Sequence, residues 1–395
     1  MKTMKNFLSM AALALMGTMM TGCSSDDIFD NPQQPENASK VVTLTTTVGF
    51  DASASNRALS TTGVKTFAAG DQMAVIYKNT SGGSVKAVGT LTSGAGTKSG
   101  TFTFTLTNPD KTQNVTYIYP AAMAGSTGVD YTKLNSQSSG TLTDLGSKYD
   151  LATNSGAWNA GALPSLTLNN QLAILAISLK NTTDITSTIK GMTIKVGSTT
   201  YTVSRSAAAG PIYVAIQPVT SQNIEVTATD GTNEYVKSLS GKTYDANKGY
   251  NVTWNMSKLT KVTWNSSNIS NLNVSGTSTS YTKEGITLRA NANRIEAEWE
   301  NNGDESGISF SANASGGFTF TAPTGKKFTK IEMTLTGSMG WDHATLGTGW
   351  VYSGDHMNNI YKVTWTGNAA SVGLLTDAGD FHTSTNVNSI VFTVY

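Results

Sequence analysis

The chain has 395 residues, of which 13% are charged, with a net charge of +1 and one cysteine. Average soluble proteins carry about 25% charged residues, so Ser, Thr, Asn and Gly supply the solubility here, and the lack of Lys/Arg clusters argues against a nucleic-acid partner. A single cysteine excludes an intramolecular disulfide, and the length suffices for two or three domains of roughly 100–200 residues each.

Residues 1–22 read as a signal peptide: Lys2 and Lys5 precede the apolar run Phe7 to Met19, and Thr21-Gly22 supply small residues for cleavage. The apolar run is short for a membrane span, which needs roughly 20 residues. Cys23 follows directly, where a bacterial lipoprotein carries the thiol that is lipidated and becomes the new N-terminus. Met20 stands where such motifs usually have Leu. The other reading is an ordinary secretory signal followed by a buried thiol. Residues 23–39, with Ser24-Ser25-Asp26-Asp27, Asp30, Pro32, Pro35 and Glu36, are too polar and acidic to fold and are expected to form a flexible tether. Acidic residues beside the cysteine suit export to the outer face of an outer membrane.

From Lys40 onward apolar residues recur at period two, in short runs rich in Val, Ile, Thr, Tyr and Phe. No long helical pattern is found. The clear runs are 72–77, 100–106, 115–119, 173–179, 190–196, 212–216, 223–229, 249–254, 317–321, 330–336, 361–365 and 389–395. Short strands at regular spacing predict an all-β chain of tandem antiparallel sandwiches. Composition shifts at Asn154–Pro164 and Ser257–Lys261 place modules at 40–158, 159–256 and 260–395. The echoes YNVTW, TKVTW and YKVTW, ending at Trp254, Trp264 and Trp365, need no repeat, because strands built from the same β-favouring residues produce them.

The first strand, VVTLTTTVGF, places Val42, Leu44, Thr46, Val48 and Phe50 on one face. The polar stretch DASASNRALSTTG follows, with Arg57 its one basic residue and Ala58 next. A cut between them would detach strand and anchor together, leaving unpaired backbone and an apolar groove for another subunit's strand. The candidate donor is the C-terminal run NSIVFTVY, whose Ile390, Phe392 and Val394 alternate with Val391, Thr393 and Tyr395. The plainer reading makes that run an ordinary strand of its own module.

Marks of common enzymes are missing from the sequence. GAGTKSG at 94–100 and GKT at 241–243 lack a complete phosphate loop and read as hairpin turns. Glu296, Glu298 and Glu300 alternate along a strand and so share one face, expected to be solvated. No metal or cofactor is expected: His343, His356 and His382 each lie near an aspartate, but at no standard ligand spacing. Trp341, Asp342, Trp350 and Tyr352 cluster in GWDHATLGTGWVYSGD, where loop indoles could receive the apolar face of a sugar; Trp365 alternates in a strand and is expected in the core.

The lipobox with its acidic follow-on, VVTLTTTVGF, NRAL before TFAAGDQMAVIYKN, VTYIYPAA, IYVAIQP and GKTYDANKGYNVTWNM resemble the fimbrillin family of Gram-negative surface lipoproteins over about residues 20–256. The resemblance implies two transthyretin-like sandwich modules, a lipid anchor in the outer membrane, trimming after Arg57, and assembly with other pilin subunits by strand exchange. It implies adhesion to a glycan or surface protein, without catalysis. A further β module after Met256 departs from a simple stalk subunit and suits a pilus tip or accessory subunit; the alternative is a stand-alone glycan-binding lipoprotein.

Overall fold

The computed structural model describes residues 39–50, 65–269, 271–292, 295–300, 307–312, 316–336, 346–355, 360–376 and 386–395. Among these the chain is almost entirely β, as period-two patterning requires. Its strands build five sheets.

Seven strands close the first sheet into a barrel, in the order Val41–Phe50, Ser99–Thr107, Ser84–Ser93, Gln72–Lys78, Val115–Tyr119, Ala152–Gly156, Thr167–Asn170. All neighbours are antiparallel except at the closure, where Gly49 and Phe50 run parallel to Thr167 and Leu168. The barrel therefore takes in a strand beyond residue 158. Its core holds Phe67, Phe102, Phe104, Tyr117 and Leu168.

The run QMAVIYK is apolar without alternation because both of its faces are covered. Met73, Val75 and Tyr77 point into the barrel, whereas Ala74 and Ile76 join the core of the next layer. Ile118 does the same from its neighbour strand. The first two sets of sheets thus share apolar surface at these residues.

Two sheets enclose that second core. One has four strands: Thr183–Asp184, Ala173–Asn181 and Ile212–Ile216, with Lys248–Asn255 parallel to Ala173–Asn181 on the other side. The other has six: Ser257–Lys258, Glu234–Tyr244, Val219–Thr229, Gly191–Val196, Thr199–Ser204 and Ser136–Ser138. Residues 94–100 include the turn between two barrel strands, with Gly94 at φ 94°. The hairpin-turn expectation for 241–243 is corrected: these residues lie inside Glu234–Tyr244, where the pairing slips and Gly241 takes φ 58°. A bulge, like a turn, uses the positive φ that glycine allows.

After Met256 an eight-stranded and a four-stranded sheet enclose a third core containing Trp264, Phe310, Phe318, Phe320, Phe328, Met333 and Phe392. The last strand, Asn386–Val394, lies in the middle of the larger sheet. Phe328–Thr336 pairs along one side of it. Thr260–Asn265 and Gly307–Ala312 share the other.

Candidate functional site

The arrangement with mechanical meaning is the seat of the first strand. Along one edge it pairs with Ser99–Thr107 through nine residue pairs, from Val41↔Thr107 to Gly49↔Ser99. Its other edge meets Thr167–Asn170 at only two. The strand is thus a stave fixed along one side and touched at one end on the other.

Side chains follow the alternation read from the sequence. Val48 and Phe50 are 1% and 5% exposed, Thr46 is buried, and Val42 and Leu44 are half-buried. Burial therefore deepens toward the strand's C-terminal end. Phe50 stacks on Phe67 with ring centroids 4.3 Å apart and meets the edge of Tyr119 at 5.4 Å. Thr46 hydroxyl and Tyr117 hydroxyl both donate to the main-chain carbonyl of Pro164, at 2.8 and 3.0 Å, so the strand's one buried polar side chain is satisfied inside the barrel. Burying a side chain such as Val48 or Phe50 contributes about 1.5–3 kcal/mol.

Removing this strand would leave the amides and carbonyls of Ser99–Thr107 without their ladder and expose an apolar trough floored by Phe67, Phe102 and Phe104. Such an edge takes an extended segment through main-chain bonds, with alternate side chains entering pockets. Cys23, Arg57 and Ala58, the lipid and processing residues of the sequence reading, lie outside the described residues.

Beside the trough stands a polar cluster that sequence reasoning missed. Lys65 is buried against Asp150, with 3.0 Å between Nζ and Oδ2. Its ammonium lies 4.6 Å from the Phe50 ring centroid and 4.8 Å from that of Tyr119. The Tyr119 hydroxyl donates to Asp71 Oδ2 at 2.5 Å, and burial together with the nearby carboxylates pushes its pKa up. A lysine and an aspartate 85 positions apart carry no shared local pattern, so nothing short of the fold joins them.

The candidate donor residues sit in a strand of their own module. Ile390, Phe392 and Val394 are buried in the third core, and Phe392 packs on Trp264 at 4.8 Å and Phe320 at 5.4 Å. Their strand has partners on both sides, so giving it away would dismantle its own sheet.

Trp350 lies in a strand and not in a loop. Expected in an exposed loop, it starts strand Trp350–Asp355 and is 8% exposed, and its indole Nε1 donates to the Gly373 carbonyl at 2.7 Å. Register places it opposite Trp365, itself buried. The indole N–H is thus engaged within the module. Tyr352 is half-buried and stacks with Tyr361 at 6.4 Å. Trp341, Asp342 and the three histidines lie outside the described residues. Glu298 is exposed. Among the described residues no cluster of His, Cys, Asp and Glu could hold a metal, and no helix is long and apolar enough to cross a membrane.

No family model matches the sequence, and no curated protein matches it. Among solved structures, it is similar to a candidate cell adhesion protein from Bacteroides ovatus at 12% identity, over 56% of this chain and 96% of that one, with a TM-score of 0.32. A fimbrial assembly protein from Parabacteroides distasonis matches at 7% identity, over 55% and 91%, with a TM-score of 0.31. A candidate cell adhesion protein from Bacteroides uniformis matches at 14% identity, over 57% and 97%, with a TM-score of 0.30. Likeness at that level decides neither fold nor role.

Proposed function

We propose that this chain is a fimbrillin-type surface lipoprotein that acts in adhesion as the acceptor end of a strand-exchange assembly. Trimming after Arg57 releases the first strand together with the Cys23 anchor, and a strand of another pilin subunit takes its place. The observation that supports this reading most is the asymmetric seat of Val41–Phe50, paired at nine positions on one edge and two on the other. A stave held in that way can be exchanged without disturbing the remaining six strands.

The central position of Asn386–Val394 favours a tip or accessory position over a repeating stalk, because an acceptor that keeps its own last strand ends a filament. Residues 260–395 then form the presented head, with a glycan or a surface protein as ligand. Neither catalysis nor a cofactor is part of the role.

Electron microscopy of the producing cells, with gold-labelled antibody against residues 260–395, tests it. Label confined to filament ends is expected. Label spread over the cell surface with none on filaments would contradict assembly and favour a stand-alone glycan-binding lipoprotein.

A further inference from the structure

Strand exchange makes no use of the buried Lys65–Asp150 pair. Their side chains are 6% and 0% exposed, and Lys65 Nζ, besides lying 3.0 Å from Asp150 Oδ2, donates to the main-chain carbonyl of Asp150 at 2.7 Å. The ion pair and the main-chain hydrogen bond hold the amine against the carboxyl group that it faces. Phe50 and Tyr119 wall the amine off from water. Asp71, Tyr119, Lys65 and Asp150 line one cavity of about 330 Å³.

Burial disfavours both charged forms at once, so passing the proton from ammonium to carboxylate gives a neutral amine beside a neutral acid. That pair is the reactive combination for condensation, and it is scarce in water because both groups ionise. Fixed juxtaposition adds to this, since well-oriented intramolecular partners reach effective molarities of about 10⁵–10⁸ M.

We propose that Lys65 and Asp150 condense to an intramolecular amide. The amine lone pair of Nζ attacks Cγ of the protonated Asp150 carboxyl, forming the N–C bond and a tetrahedral intermediate. One proton leaves the nitrogen, one C–O bond breaks, and the departing hydroxyl takes that proton and leaves as water. Reactants and products balance as amine plus acid to amide plus water, with no oxidant or cofactor. The Tyr119–Asp71 pair, whose hydroxyl donates to the carboxylate at 2.5 Å in the same cavity, is the positioning relay for that transfer. The amide would fasten the chain just downstream of Arg57 to the barrel, so the trimmed end stays beside the trough as the first strand departs.

Mass spectrometry of the full chain, denatured and digested with trypsin, tests the bond. Lys65 in an amide is not cut, so the expected product joins peptide 58–78 to peptide 149–180, lighter by one water than their sum. Lys65→Gln and Asp150→Ala each abolish it. Asp71→Asn slows its appearance after refolding by about 100-fold; formation at the wild-type rate would overturn the relay. Cleavage at Lys65 with an unmodified 149–180 peptide, or a water deficit mapped instead to Asp230-Gly231, overturns the amide.

Discussion

Phe50 and Phe67 stack with ring centroids 4.3 Å apart, which ties the end of the first strand to the segment that precedes strand Gln72–Lys78. Phe67 belongs to the part that would remain after trimming, and Phe50 to the part that would leave. Phe67 therefore packs against Phe50 in the intact barrel and would line the trough once Phe50 has gone.

Phe50→Ala is expected to destabilise the intact barrel by about 3–5 kcal/mol, the usual cost of emptying a buried aromatic site. Urea denaturation checks this. In protein trimmed after Arg57 and loaded with a wild-type strand the substitution has no effect, because the altered segment has gone, whereas Phe67→Ala weakens both forms.

Trp350→Ala is expected to lower stability of the C-terminal module by a similar amount, about 3–5 kcal/mol. Trp350→Phe keeps most of the packing but leaves the Gly373 carbonyl without its indole partner, at a cost of about 1–3 kcal/mol. Thermal denaturation of both variants distinguishes a core tryptophan from a surface one, which would leave the midpoint unchanged.

Gly94→Ala strains the turn of the hairpin that ends in the first strand's main partner. At φ 94° a Cβ would lie 2.1 Å from the Ser99 carbonyl oxygen. The cost exceeds about 1 kcal/mol, read as a lower denaturant midpoint.

Acid is expected to loosen the hairpin formed by Val219–Thr229 and Glu234–Tyr244. The side-chain amide and main-chain N–H of Asn233, then the N–H of Thr232, donate to Asp230 and hold its carboxyl well below the usual range, with the Tyr235 hydroxyl adding to them. A depressed folded-state pKa contributes stability that is present above the unfolded value of about 3.9 and is lost as pH falls below it. Amide hydrogen exchange at Thr232 and Asn233 should accelerate across that window in the wild type, and the step should vanish in Asp230→Ala.

Much of this architecture was legible because period two is a local signal. Ten of the twelve runs read from the sequence fall within strands, 115–119 and 212–216 coincide with them, and 190–196 and 389–395 each overrun a strand by one residue. Ser84–Ser93 escaped notice because SVKAVGTLTS keeps only Gly89 fully buried and so shows little apolar alternation. The short helical turns within residues 121–149 were missed for want of length: each spans five residues or fewer. Sequence position also misled where pairing decides. Trp350 stands among Gly and Asp, which suggests a loop, yet the ladder to Ile360–Ala369 turns it inward. Ile390, Phe392 and Val394 alternate as a donor strand would, but alternation is the same whether a strand serves its own sheet or another's. The seat of the first strand was read correctly on its buried face; its two unequal edges depend on partners fifty or more residues away.

Strand exchange requires the first strand to be replaceable. Protein trimmed after Arg57 and mixed with a fluorescent peptide of residues 41–50 measures this directly, by anisotropy and by mass of the released segment. Saturable uptake of one peptide per chain, only after trimming and matched by release of the original strand, is the predicted result. Equal uptake by intact and trimmed protein, or a trimmed barrel that keeps its strand against excess peptide, would contradict it.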